Sequence, residues 1–139
     1  MIHAYSKIHN IGHHQISDIF NDLVVIEEKL DGSQISWCVK DGQLYARSKG
    51  AQIVIDAPEK MFSLGITKLL ELKDSFKEGW VYRAEYFQKT KHNSLAYDRI
   101  PNNHIMIFDI STEIDVEKYL SYEDKKMESL RLGFEVVPC

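Results

Sequence analysis

The pair Asp41-Gly42 lies between two alternating runs, Gln34-Ile35-Ser36-Trp37-Cys38-Val39 and Gln43-Leu44-Tyr45-Ala46-Arg47-Ser48. An Asp-Gly step flanked by alternating apolar residues is the strongest short-range signal for a β-hairpin. The returning run ends in Arg47-Ser48-Lys49-Gly50, so the hairpin brings basic residues back beside its own start, where Gly50 allows close backbone approach. What precedes the hairpin is Val24-Val25-Ile26-Glu27-Glu28-Lys29-Leu30-Asp31-Gly32-Ser33. Its apolar, β-branched opening reads as a buried strand and Asp31-Gly32 as the turn that ends it. Lys29 is therefore expected where strand meets loop, with its ammonium aimed into a cleft.

That placement suits a nucleophile. A lysine attacks only as the free amine, and an ordinary pKa near ~10.4 leaves it protonated at neutral pH. Partial burial, neighbouring cations or a bound metal would lower that value and supply the reactive form. An unremarkable strand-end lysine beside a turn is the competing reading, since Lys-x-Asp-Gly is short enough to occur by chance.

Further along, Pro58 stands near the start of an amphipathic helix carried by Met61, Phe62, Ile66, Leu69 and Leu70, expected to cover a sheet. Ser121-Tyr122-Glu123-Asp124 reads as the capping sequence of a second helix, carried by Met127, Leu130 and Leu132 and stopped at Gly133, with a strand beginning at Phe134-Glu135-Val136-Val137. A length of 139 residues with 44% apolar content makes one domain, residues 1–139, with enough material for a core. A net charge of −4 argues against a surface that coats nucleic acid generally. Between Gln88 and Asn103, however, Lys89, Lys91 and Arg99 interleave with His92 and Tyr97, giving either a path for a phosphate backbone or a plainly solvated loop. Acidic residues gather instead from Glu113 to Glu128.

Cys38 and Cys139 form no metal or redox spacing, which favours a reducing interior. Met1-Ile2-His3 lacks a charged-then-apolar leader, and no apolar run approaches the ~18 residues of a membrane span. The expectation is a cytoplasmic protein, or a viral one acting in the host cytoplasm, with no membrane partner. His3, His9, His13 and His14 crowd the start of the chain without Cys or carboxylate partners at ligand spacing, and adjacent His13 and His14 should point apart. A loop near nucleotide or RNA fits them better than a metal site, and Tyr5-Ser6-Lys7-Ile8-His9-Asn10 approaches the Lys29 region without a specified contact.

Taken in order, Glu28-Lys29-Leu30-Asp31-Gly32-Ser33, Tyr45-Ala46-Arg47-Ser48-Lys49-Gly50, Trp80-Val81-Tyr82-Arg83-Ala84-Glu85-Tyr86-Phe87 and His104-Ile105-Met106-Ile107-Phe108-Asp109-Ile110 resemble motifs I, Ia, III and IIIa of the ATP-dependent RNA ligases. These are covalent nucleotidyltransferases, related to DNA ligases and mRNA capping enzymes. The resemblance implies an α+β nucleotidyltransferase fold, an ATP-grasp-like ligase adenylation domain of antiparallel sheets with flanking helices. It implies that Lys29 attacks the α-phosphate of ATP to form lysyl-AMP, with Mg2+ or Mn2+. The AMP then passes to an RNA 5′-phosphate, and a 3′-OH seals the strand. It casts Arg47 or Lys49 as the phosphate or ribose contact of motif Ia. Glu85 becomes a ribose or magnesium ligand. Phe108 becomes the base-stacking ring, although periodicity alone reads it as core, on the face opposite Ile105, Ile107 and Asp109. Glu28 is read as contacting the base through its backbone or steadying Lys29 by charge, with Asp31 and Gly32 shaping the turn.

Ala84 stands where the family commonly has glycine, a change that leaves Glu85 in place. The family's Glu-Gly-x-Val and Lys-x-Lys elements do not follow Ile110. Glu78-Gly79-Trp80-Val81 and Lys89-Thr90-Lys91 match them as strings but lie upstream of motif IIIa. The expectation is a domain incomplete at its C-terminus, a fragment or truncated member. The alternatives are a nucleotide- or RNA-binding module that retains the pocket without turnover, or a DNA ligase or capping-type enzyme.

Overall fold

Asp41 and Gly42 both take positive φ, 52° and 75°, the left-handed pair whose twist matches that of the flanking strands. Accordingly β1 (Ser33–Lys40) and β2 (Gln43–Ser48) form the expected antiparallel hairpin, with Lys40 opposite Gln43. The structure is a computed structural model describing residues 2–139; Met1, where the leader reading begins, lies outside them. The other strands are β3 (Gln52–Ile53), β4 (Val81–Tyr86), β5 (Ile105–Ser111) and β6 (Glu135–Val136). Together they form one sheet in the order β3-β2-β1-β4-β5-β6.

This corrects the expectation of antiparallel sheets. The sheet is single and mixed, because α2 (Tyr122–Leu132) carries the chain back so that β6 runs parallel to β5. Both helices cover the same face. There Ile35, Trp37, Tyr82, Ala84, Tyr86, Ile105, Ile107 and Ile110 meet Phe62, Ile66 and Leu69 of α1 (Lys60–Glu71), together with Leu132 and Phe134. Each large apolar side chain buried there contributes about 1.5–3 kcal/mol. Trp37 stacks on Tyr82 at 5.5 Å, planes 9° apart.

Four further expectations change. Leu70 lies on the solvent side of α1. On α2, Ser121 caps the first turn by accepting the Asp124 N–H as expected, yet Met127 and Leu130 are 70% and 66% exposed. The inward stripe is instead Lys125, Glu128, Ser129 and Leu132, spaced i, i+3, i+4, i+7. Counting apolar residues misreads a helix whose buried polar groups are ion-paired.

The run Val24–Lys29 is no strand. Leu23 is fully exposed and Ile26 is 76% exposed. No strand lies alongside to satisfy this backbone, whose one backbone hydrogen bond among the described residues runs from the Glu28 N–H to Pro138 O, 2.8 Å.

The last change is a bulge. Arg83 pairs with Asp109 but Ala84 pairs with Ile107, leaving Phe108 as an extra residue in β5. Alternation would set Asp109 with Ile105 and Ile107. The bulge instead turns Phe108 and Asp109 to one face, away from the helices, while Ile110 rejoins the core. That second face is covered by residues 2–6: Ile2 packs on Cys38 and Val81, and the Ile2 carbonyl accepts from Arg47 Nη1 and Gln52 Nε2, both at 2.9 Å.

Candidate active site

The segment from Glu27 to Gly32 lacks regular structure and is held almost residue by residue. Glu27 accepts from Lys125 Nζ at 2.6 Å, and the Glu28 N–H bonds Pro138. Leu30 is buried against Phe87 and Val137. The Asp31 carboxylate accepts the N–H groups of Ser94 and Leu95, both at 2.9 Å, and the Asp31 N–H reaches Tyr97 Oη at 2.8 Å. Lys29 alone has neither a hydrogen bond or ion pair nor a buried seat among the described residues, and it is exposed.

Gly32 lies so close to β4 that a Cβ would stand 2.7 Å from the Tyr86 carbonyl oxygen and 3.1 Å from Glu85 Oε2. Only glycine permits this approach, and it sets the Gly32 backbone N–H on the Glu85 carboxylate. Burial pushes the Glu85 carboxyl up to about 7, against the pull of Lys29, the Gly32 N–H and Lys49, while Asp31 adds to the rise. Lys29, Asp31, Gly32, Lys49 and Glu85 are thus brought together. Their arrangement is a buried carboxyl within electrostatic reach of two lysines, chemically able to receive a cation or a ribose hydroxyl pair.

Phe108 is half-buried at the bulge, its ring meeting Tyr5 edge-on at 5.0 Å, and Tyr5 Oη donates to Asp109 Oδ2 at 2.5 Å. Burial, that hydrogen bond and the Asp109 charge push the Tyr5 phenol well up, and burial raises Asp109.

Other expected site residues are engaged elsewhere. Arg47 spends Nε, Nη1 and Nη2 on the carbonyls of Ser48, Ile2 and Lys49, so of the motif Ia pair Lys49 is the one whose charge acts on Glu85. Arg99 forms a fork with Glu135 at 2.8 and 2.5 Å, tying its loop to β6. His92 Nδ1 accepts the Gln88 N–H at 3.0 Å, which leaves Nε2 to donate to Ser33 Oγ at 2.7 Å, and burial lowers its pKa. Lys89 and Lys91 are exposed and without ion-pair partners among the described residues. Glu28 points no side-chain hydrogen bond into the cluster.

The string Glu78-Gly79-Trp80-Val81 sits at the opposite end of β4 from Glu85, where Glu78 accepts the Asp41 N–H and the Gly79 N–H bonds Val39. His13 and His14 do not point apart: with a 3₁₀ turn at His14–Ile16 their rings stack at 4.4 Å, and His9 stacks on His13 at 4.1 Å.

A family model described as RNA ligase matches residues 22–139. The chain belongs to the RNA ligase family. No curated protein matches it significantly. The RNA ligase match takes in the six strands and two α-helices of the described residues and the Lys29–Glu85 cluster, and excludes the histidine-rich start. No helix among the described residues is long and apolar enough to cross a membrane.

Sequence reasoning missed Lys125 and Asp109 and left Tyr5 without a contact. Lys125 carried one legible signal, its i+7 spacing to Leu132 on a capped helix. The bulge that re-aims Asp109 has no signature in the strand's own residues.

Proposed function

We propose that this RNA ligase family member is an ATP-dependent polynucleotide ligase whose nucleophile is Lys29. The Lys29 Nζ lone pair attacks the α-phosphorus of ATP, the bond to the bridging β-phosphate oxygen breaks, and the amine loses a proton as pyrophosphate leaves. An oxygen of an RNA 5′-phosphate then displaces the lysine from the adenylyl group. A 3′-OH attacks that activated 5′-phosphate, AMP leaves, and the strand is closed. RNA is the substrate class that family membership supports.

What carries the reading is that every residue from Glu27 to Asp31 is anchored except Lys29, whose charge, with that of Lys49, acts on the Glu85 carboxyl. A fixed backbone with one free amine is the pre-organisation that nucleophilic attack requires. Glu85 fits a divalent cation or the ribose hydroxyls, since a carboxylate pushed up to about 7 by burial gains most from a cationic or hydrogen-bonding partner. Magnesium or manganese, when bound, would neutralise the phosphates and polarise the leaving group. Phe108 offers its ring face to adenine, and exposed Lys89 and Lys91 lie on the loop that clasps Asp31, open to an RNA backbone.

The test is incubation with magnesium and ATP labelled on the α-phosphate, followed by denaturation. The expected outcome is label retained on the wild-type chain and absent from Lys29→Ala. Label of equal strength on Lys29→Ala would move the nucleophile elsewhere.

A further inference from the structure

Lys125 is 3% exposed, on the inward stripe of α2. An ammonium in such a position is costly unless it is both paired and hydrogen-bonded, and an apolar residue there would continue the contact that Leu132 makes. The charge is answered by two oxygens from distant parts of the chain, Glu27 Oε2 at 2.6 Å and the Phe108 carbonyl at 2.8 Å. The Tyr122 ring lies 5.2 Å from the ammonium, a distance at which a π-face adds to its stabilisation.

The identity of the two acceptors gives the pairing its meaning. Phe108 is the bulge residue, with no residue opposite it in β4. Glu27 lies two residues before Lys29, at the start of the anchored segment. Of the polar anchors on that segment, the Glu28 N–H bond to Pro138 and the loop bonds to Asp31 fix it to other neighbours. Lys125 is the one polar link between it and the bulge among the described residues, beside the apolar cluster in which Leu30 and Phe108 share neighbours.

We infer that Lys125 is a positioning residue, a buried strut that sets the distance between the Lys29 segment and the Phe108 bulge. The inference rests on the nucleotide reading where it names Lys29 as nucleophile and Phe108 as the base contact. Because the strut is directional, an apolar replacement of similar volume keeps α2 packed but releases both oxygens.

Two measurements on Lys125→Met, Glu27→Gln and the double variant test it. In amide hydrogen exchange, the Glu28 N–H is expected to exchange at least tenfold faster in each variant, no faster in the double than in either single, with the amides of α2 unchanged. An unchanged Glu28 rate, or equal acceleration throughout α2, overturns the strut. In single-turnover labelling with α-labelled ATP at saturation, both single variants are expected to slow at least tenfold, with Lys125→Arg partly restored. The double variant, which strands no charge, is expected to regain melting temperature and stay slow; recovery of rate along with stability would reduce Lys125 to a structural role. Should the wild-type chain take no Lys29-dependent label, the nucleotide reading falls, while the exchange result still decides the strut.

Discussion

At Glu85 a single carboxylate combines a cost to stability with a use at the site. Its folded pKa of about 7 lies above the ordinary carboxylate value, so the folded state resists ionisation more than the unfolded one. Below about pH 4.5 the group is protonated in both states and the penalty is absent; it grows as pH rises and is complete above pH 7. Glu85→Gln should therefore raise the stability of the free protein at pH 8 by about 2–3 kcal/mol, a ceiling set by the shift and trimmed by residual solvent screening. The same substitution should change little at pH 4.5, as urea titrations at the two pH values would show. Lys29 labelling should rise through pH 7 in the wild type and be weak in the variant at every pH. Gly32 makes a different demand. A methyl group 2.7 Å from the Tyr86 carbonyl must push β1 from β4, so Gly32→Ala is expected to cost about 1–3 kcal/mol in urea unfolding, the range of overpacking in tight sites.

Elements divide according to whether their signals are local. The β1–β2 hairpin follows from Asp41-Gly42, and α2 begins at the Ser121 cap and ends at Gly133 as read, since caps and turns satisfy backbone groups within a few residues. The face of α2 was misread because its buried charges are answered largely from outside the helix: Glu27 and the Phe108 carbonyl for Lys125, and Lys77 for Glu128 in addition to Arg131 one turn on. The β5 bulge was invisible for the same reason, being a property of the β4–β5 register. The loop after β4 is built around Asp31, which accepts two of its N–H groups, and around His92 on Ser33. Its lysines owe their position to those anchors rather than to their own charge.

At the scale of the molecule, one face of the sheet holds the core and the other holds the candidate site, with residues 2–6 laid across it. The apolar run Leu23–Ile26 belongs to neither. Because Leu23 and Ile26 are exposed, Leu23→Ser and Ile26→Thr should shift the urea midpoint by less than about 0.5 kcal/mol equivalent, whereas a buried strand there would lose several times that. The sequence alone determined the order of the chemistry-bearing segments, the hairpin, the positions of both helices and the identity of Lys29, Glu85 and Phe108 as residues to watch. The hairpin and the helices rest on turn chemistry, capping and periodicity, all of which act over a few neighbours, whereas Glu85 and Phe108 were marked by the resemblance to the RNA ligase motifs. Tertiary structure alone decided that Arg47 is spent on backbone carbonyls while Lys49 acts on Glu85, that Asp109 joins Phe108, that Arg99 and His92 serve the loop, and that a lysine on α2 reaches the Lys29 segment. Each of these depends on which distant group satisfies a charge or a backbone oxygen once the chain has closed, and pairings of that kind are set by packing in space, where sequence separation carries no information.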